Sequence, residues 1–416
     1  MTLQNFYVSL SFFGQCAAAI ALFRALLPVL PRAGRQVFLV ACSAFFLSRL
    51  DGFPNFRLPM GLYLLAALVL GQAIALSAGR TRSILVAIAS SAAVAVLAVY
   101  KYPHVLTLVG LPGAIPRNIS GWHWIGLSYL SFKAIDFFVA MASGKKDHRP
   151  GKTGWLYGAA YLTFFPAFVS GPIHRFAPYL ANQSADYTRM TWPRFRGNLM
   201  RVSIGVIKIL FFAELVYQYS PLGAEFPKTG PLPFWMLVQS LYCYYLYLYF
   251  DFSGYCDVAI ALADFFEVRV IENFNFPLLA TSPQDFWNRW HISLSQWLRD
   301  MVFFRLLQGI LRRWPDTPIL AASVPSIFVT FVLMGVWHGN GLNWLLYGCY
   351  HGVALSGELL YRAAMERFCP DLYDRLIASR PYRWACVFLM FNFVAWGLLL
   401  TEPLADLARL LARIGG

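Results

Sequence analysis

The chain has 416 residues, 58% hydrophobic and 13% charged, with a mean hydropathy of +0.54. Soluble globular proteins carry about one quarter charged residues, so a soluble fold is excluded and a polytopic membrane protein is expected. The net charge of +14 sits in short loops between apolar runs rather than on one domain face, which argues against nucleic acid and for membrane orientation.

Apolar runs fall at 5–23, 36–50, 60–78, 83–100, 121–143, 154–172, 198–219, 233–252, 255–267, 318–337, 342–361 and 384–401. Many approach the length needed to cross about 30 Å of hydrocarbon. They predict an all-α fold of about 11 transmembrane helices plus re-entrant and horizontal helices, forming one membrane-embedded domain over 1–416. The first cation is Arg24, beyond the first run, so residues 5–23 lack a basic leader and are expected to persist as a span. Loops 24–35, 79–82 and 145–152 are basic, whereas 51–59 is nearly balanced and 101–120 is sparse in charge. The positive-inside rule then places the N-terminus outside, in a cell membrane.

Two segments do not read as ordinary spans. Phe164 to Pro172 breaks its helix with two prolines and a glycine and precedes a basic region, which predicts a re-entrant hairpin. Segment 281–313 carries Arg289, Arg299, Arg305, Arg312 and Arg313 against Asp285 and Asp300. It is expected to form one or two helices lying flat or dipping in from the cytoplasmic side, starting at the Ser282-Pro283 cap.

Between them, Tyr242 to Phe252 holds five tyrosines and Asp251. Such a stripe is either packing and interface belt or, with Tyr249 beside an intramembrane aspartate, the lining of a polar tunnel.

Ionisable side chains at membrane depth are costly and usually mark a site. His291 is expected within a helix, with Trp287 and Ser295 at i−4 and i+4 and Asn288 at i−3 on one face. Those groups would orient an imidazole and donate to a developing oxyanion; the alternative is an interfacial anchor of Trp and Arg. His338 follows the apolar run Ile327 to Trp337 and precedes a Gly-Asn-Gly turn. An uncharged ring tolerates burial there and would serve as a general base, unless a backbone carbonyl at the helix end merely satisfies it. His351 is expected to pack between helices. The seven cysteines show no C-x-x-C or Cys/His metal spacing and read as small core residues, so no metal is expected. No G-x-S-x-G, Walker A, H-E-x-x-H or Rossmann glycine pattern occurs, which disfavours hydrolase, ATP-driven and zinc-protease chemistry. Proton-coupled transport stays open, though the polar motifs cluster in the second half rather than in paired repeats.

The motifs Ser170-Gly-Pro-Ile-His-Arg175, Tyr249-Phe-Asp-Phe-Ser-Gly-Tyr255, Glu272-Asn-Phe-Asn275, Asp285-Phe-Trp-Asn-Arg-Trp-His-Ile-Ser-Leu-Ser-Gln-Trp-Leu-Arg-Asp300 and Met334-Gly-Val-Trp-His-Gly339 together resemble the membrane-bound O-acyltransferase family over roughly 120–365. The sequence is similar to its bacterial branch, which holds D-alanyl-teichoic acid transfer proteins and alginate O-acetyltransferase subunits. The resemblance implies a ring of helices around a central tunnel, with no bound cofactor and a phosphopantetheine thioester on an acidic acyl carrier protein as donor. It implies His338 as the catalytic histidine and His291 as a second motif histidine near the same tunnel. Trp287, Asn288, Ser295, Trp337, Asp251 and Tyr249 would contact substrate. Phe304, Arg305, Leu307, Arg312 and Arg313 would form a landing patch for the carrier on the cytoplasmic side. The expected activity moves an acyl group, D-alanyl first and acetyl as the alternative, to a hydroxyl of a cell-envelope polymer. A small single-span membrane partner, an extracytoplasmic transferase and membrane lipids are the further expected partners.

Overall fold

A computed structural model describes residues 9–50, 53–102, 126–143, 154–185, 189–227 and 229–414. Every regular element among them is helical. Among the described residues four helices are long and apolar enough to cross a membrane: Arg57–Leu76, Gly79–Lys101, Ile319–His338 and Arg380–Thr401. The all-α membrane architecture is as expected. Loop 145–152 and most of 101–120 lie outside the described residues.

The chain divides into two compact units, Met1–Val206 with Tyr255–Ile271, and Ile207–Gly254 with Glu272–Gly416. The first is built from helices Leu10–Leu26, Arg32–Leu47, Phe53–Leu76, Gly79–Lys101, Leu127–Ala142 and Gly154–Thr163, followed by Phe176–Ser184 and most of Trp192–Ile207. Ser9 starts it off by accepting the Phe12 amide on its hydroxyl at 3.1 Å, an N-cap that satisfies an otherwise orphaned donor. The ring of Phe137 sits against Gly71 and Gly158, where an added Cβ would come within 2.2 and 2.8 Å of it. Small residues thus let three helices close around one aromatic ring.

The break expected over Phe164 to Pro172 is present: Phe164 to Arg175 leaves α-helix, with one 3-10 turn at Phe165–Ala167, and is buried throughout apart from Ser170 and Arg175. Its backbone polar groups find side-chain partners. The Phe165 amide donates to Ser43 Oγ, and Tyr255 bridges the segment, its hydroxyl donating to the Pro166 carbonyl and accepting from the Ser170 amide. Broken backbone survives at membrane depth only when neighbouring protein supplies such partners. Asp136 anchors the exit, accepting from Tyr161 Oη and the Phe176 amide and pairing Arg175 at 3.0 Å.

The runs 233–252 and 255–267 differ from expectation, for they form one 32-residue helix, Phe234–Phe265, about 48 Å long. Asp251, Ser253 and Gly254 interrupt hydropathy there, but none of them lacks an amide hydrogen as proline does, so the ladder continues. The second unit contains the rest of this helix and the elements that hold both motif histidines. Helix Ile319–His338 crosses helix Leu342–Phe368 where Gly335 meets Gly348 backbone to backbone, an added Cβ on Gly335 lying 2.3 Å from the Trp344 carbonyl. Gly348 and Gly352 form the small-xxx-small step that permits this approach.

Candidate active site

Segment 281–313 begins as its cap predicts: Ser282 Oγ accepts the Asp285 amide at 3.2 Å with Pro283 at the first helical position. It then breaks into Pro283–Arg289, Ile292–Leu298 and, after a π-turn, Phe304–Arg313. His291 is therefore not within a helix. It is the N-cap of Ile292–Leu298, in the left-handed region at φ 45° and ψ 50°. That conformation costs a non-glycine residue about 1–2 kcal/mol and persists only where surrounding contacts impose it. The i±4 face expected for His291 is corrected accordingly.

The contacts that impose it come from Asn273. Its Oδ1 accepts from the Ser293 amide at 3.0 Å and the Ser293 hydroxyl at 2.9 Å, and it lies 3.2 Å from His291 Nδ1. The Asn273 carbonyl also accepts the Ile292 amide at 3.0 Å. An amide oxygen cannot donate, and flipping Asn273 would set its NH2 against the Ser293 N–H. Nδ1 must therefore carry the proton, which leaves the lone pair of the neutral ring on Nε2. Phe252 packs edge-on to the imidazole at 4.9 Å. The ring is buried and its direction is fixed.

Trp287, Asn288 and Ser295 do come together, but around a cavity whose wall does not include His291. This space of about 200 Å3 is lined by Gln284, Gln296, Arg299, Thr330 and Phe331 as well as those three. The Trp287 Nε1–H is buried without an acceptor. Carboxamide, hydroxyl, guanidinium and indole groups here offer both donors and acceptors to a cavity whose remaining walls are apolar.

His338 ends helix Ile319–His338, and its ring is exposed, contrary to the burial expected from its apolar run. The helix stops with it, at an extended Gly339. It stacks on Trp344, with centroids 5.2 Å apart and planes 16° from parallel, and Trp337 and Tyr347 approach at 4.5 and 6.1 Å. Gly339 makes room for Trp344: an added Cβ would lie 2.2 Å from the indole. His338 is within electrostatic range of both His291 and His351. His351 is buried, as anticipated, in an aromatic box that includes Trp287, Tyr347, Tyr350 and Phe393.

Tyr249 and Asp251 do not line the cavity beside Trp287. Tyr249 packs on Phe274 at 6.0 Å and beneath Lys208 at 5.9 Å, which favours the packing alternative for that tyrosine. Of the landing patch, Phe304, Arg305, Arg312 and Arg313 are exposed on helix Phe304–Arg313, but Leu307 is buried and so points the other way. Exposed Trp314, 5.7 Å from the Arg313 guanidinium, extends the basic face instead. Cys369 is exposed rather than packed. Asn273, Phe252, Trp344 and Tyr347 join the site without a chemical signature of their own in the sequence: Asn273 and Phe252 are marked only by lying in Glu272-Asn-Phe-Asn275 and Tyr249-Phe-Asp-Phe-Ser-Gly-Tyr255, and Trp344 by following His338 by six residues beyond a glycine turn.

Among the described residues no three His, Cys, Asp or Glu side chains are placed to hold a metal ion. The site brings together one exposed imidazole, stacked on Trp344, and one buried imidazole, set against the amide of Asn273. With His338 closing a helix of membrane-spanning length, the pair fits an enzyme that transfers acyl groups to oxygen in a membrane. Residues 122–399 match the family described as MBOAT, membrane-bound O-acyltransferase family, and the chain belongs to that family. It is 28% identical to the teichoic acid D-alanyltransferase of Bacillus subtilis over 295 residues, 68% of this chain and 69% of the relative. It is 32% identical to the probable alginate O-acetylase of Pseudomonas fluorescens over 290 residues, 69% of this chain and 51% of the relative. The peptidoglycan O-acetyltransferase of Helicobacter pylori is 30% identical over 241 residues, 57% of this chain and 42% of the relative. The chain thus spans about half the length of the alginate O-acetylase it matches. It is an O-acyltransferase of the membrane.

Proposed function

We propose that the protein carries an acyl group, D-alanyl in the first instance, from a phosphopantetheine thioester on an acidic carrier protein to a hydroxyl of a cell-envelope polymer. The exposed face of His338 carries this reading, because a base must reach the proton that it removes. The acceptor hydroxyl gives its proton to His338 as its oxygen attacks the thioester carbonyl. Collapse of the tetrahedral intermediate breaks the C–S bond, and the pantetheine thiolate leaves and takes up the proton held by His338, which restores the neutral base. His291 stands ready to position the thioester through Nε2. The cavity beside Trp287, Asn288 and Ser295 suits the amide-bearing pantetheine arm, whose two amides need the same mix of donors and acceptors. Arg305, Arg312 and Arg313 offer the acidic carrier a cytoplasmic landing face, with the N-terminus outside and a passage through the bilayer linking the two.

The D-alanyl choice is favoured by the larger share of the relative spanned, 69% against 51% for the P. fluorescens alginate O-acetylase. Acetyl transfer to an exopolysaccharide is the second reading, supported by the higher identity of 32%. A small single-span partner or an extracytoplasmic transferase would complete the route to the polymer in either case. Incubating purified protein with D-alanyl and acetyl carrier thioesters decides between them. Discharge of the D-alanyl form alone supports the first reading, discharge of the acetyl form alone supports the second, and discharge of neither removes the donor assignment.

A further inference from the structure

A second, larger cavity of about 1070 Å3 lies within the second unit, walled by helices Leu342–Phe368 and Arg380–Gly397 and by the short helix Pro370–Ala378, with the start of Pro283–Arg289 at one side. Its size is at the upper end for small-molecule sites, and the reading of the acyl-transfer site makes no use of it.

The two long walls run antiparallel. Tyr350 stacks on Phe393 at 4.3 Å near one end, and Tyr382 hydrogen-bonds Tyr361 and Cys386 near the other. Along both, polarity rises in the same direction. On one wall the lining goes from Tyr350 through Ala354 and Gly357 to Glu358, Tyr361 and Arg362. On the other it goes from Trp396, Phe393 and Asn392, whose carboxamide is taken up by Tyr242 and the Phe388 carbonyl, through Met390, Leu389 and Cys386 to Tyr382 and Arg383. From Arg383 to Trp396 is 13 residues, about 20 Å of helix, somewhat more than the roughly 15 Å of one hydrocarbon leaflet. Arg383 lies at the very start of the membrane span Arg380–Thr401, where headgroups sit.

Charge then selects the headgroup. Arg289 is paired with Asp285 at 2.7 Å, and Arg362 faces Glu358 at 3.9 Å. Arg383 makes no ion pair with any described carboxylate. An unneutralised guanidinium flanked by the tyrosine hydroxyls of the polar end is a recognition pattern for phosphate.

From this cavity we infer that the protein holds one membrane phospholipid, its phosphate at Arg383 and its acyl chains along Leu389, Met390 and Phe393. Tyr350 and Phe393 also wall in His351, so the lipid buttresses the aromatic box that backs the two-histidine site.

The test equilibrates the full-length protein in detergent with phosphatidylglycerol, diacylglycerol or inorganic phosphate and reads retention by native mass spectrometry. The wild type should retain one phosphatidylglycerol and neither of the others. Arg383→Gln should weaken that binding about tenfold, as loss of one charge-assisted hydrogen bond implies. Gly357→Leu should abolish it, because an added side chain there meets open space on the cavity side and no protein atom. The same substitution removes a helix-interior glycine, so the fold is spared. Equal retention of diacylglycerol would overturn phosphate recognition. Retention of inorganic phosphate alone would overturn the acyl-chain assignment. Phosphatidylglycerol binding untouched by Gly357→Leu would place the lipid elsewhere and end the proposal.

Discussion

The imidazole of His338 lies face to face with the indole of Trp344, 5.2 Å between centroids and 16° from parallel, across a turn that only glycine at 339 allows to close. The pair fixes the plane of an otherwise exposed ring, and the proposed role of that ring as proton acceptor requires a fixed plane. Trp344→Leu should therefore leave the protein folded while lowering acyl transfer about tenfold or more through kcat. Steady-state kinetics with the loaded carrier checks it.

Gly339→Ala acts on the same contact from the other side. The new methyl overlaps the Trp344 indole, and either the ring or the turn must move. Transfer should fall as it does in Trp344→Leu, and the double variant should be no worse than either single one. Additive losses in the double-variant cycle would show that the two positions act separately.

His291 sits at φ 45°, a conformation that glycine adopts without strain. His291→Gly should thus be at least as stable as His291→Ala, by about 0.5–1 kcal/mol, although both lose the ring and with it most activity. Thermal unfolding of the two variants in detergent is the check.

Asn273→Ala removes the acceptor for Ser293 and for His291 Nδ1 at once. Leaving those buried donors unsatisfied should cost about 1–3 kcal/mol and let the imidazole rotate. Loss of transfer with His291 intact is the expected result, measured beside the melting temperature.

Charge reversal at Arg305 and Arg312 should raise KM for the carrier protein and flatten the dependence of the rate on salt. It should leave kcat near the wild-type value. Leu307→Glu, on the buried side of the same helix, should instead destabilise the protein.

How far the sequence foretold this site depended on the range of the forces involved. Helical spans, the Ser282-Pro283 cap and the interruption after Thr163 were legible because each is decided by local hydropathy, capping or proline sterics. The break at Trp290-His291 was not, since nothing in Asn288-Arg-Trp-His-Ile292 disfavours a helix. It comes from Asn273, 18 residues away, taking the Ile292 and Ser293 amides out of helical pairing. Exposure of His338 was misjudged for a similar reason. Apolar neighbours in sequence said it would be buried, whereas the helix ends there and the partners that matter, Trp344 and Tyr347, lie on the next helix. Leu307 faces away from the landing side because it shares its side of the helix with Ile310 and Leu311, a burial that local composition does not reveal.

The most direct measurement is single-turnover discharge of a loaded carrier thioester to a hydroxyl acceptor by wild-type and His338→Ala protein, with equal folding and membrane insertion verified. A fall of about 10²–10⁴-fold in transfer is the result expected if that imidazole removes the acceptor proton. Wild-type transfer by His338→Ala would contradict the mechanism at its first step.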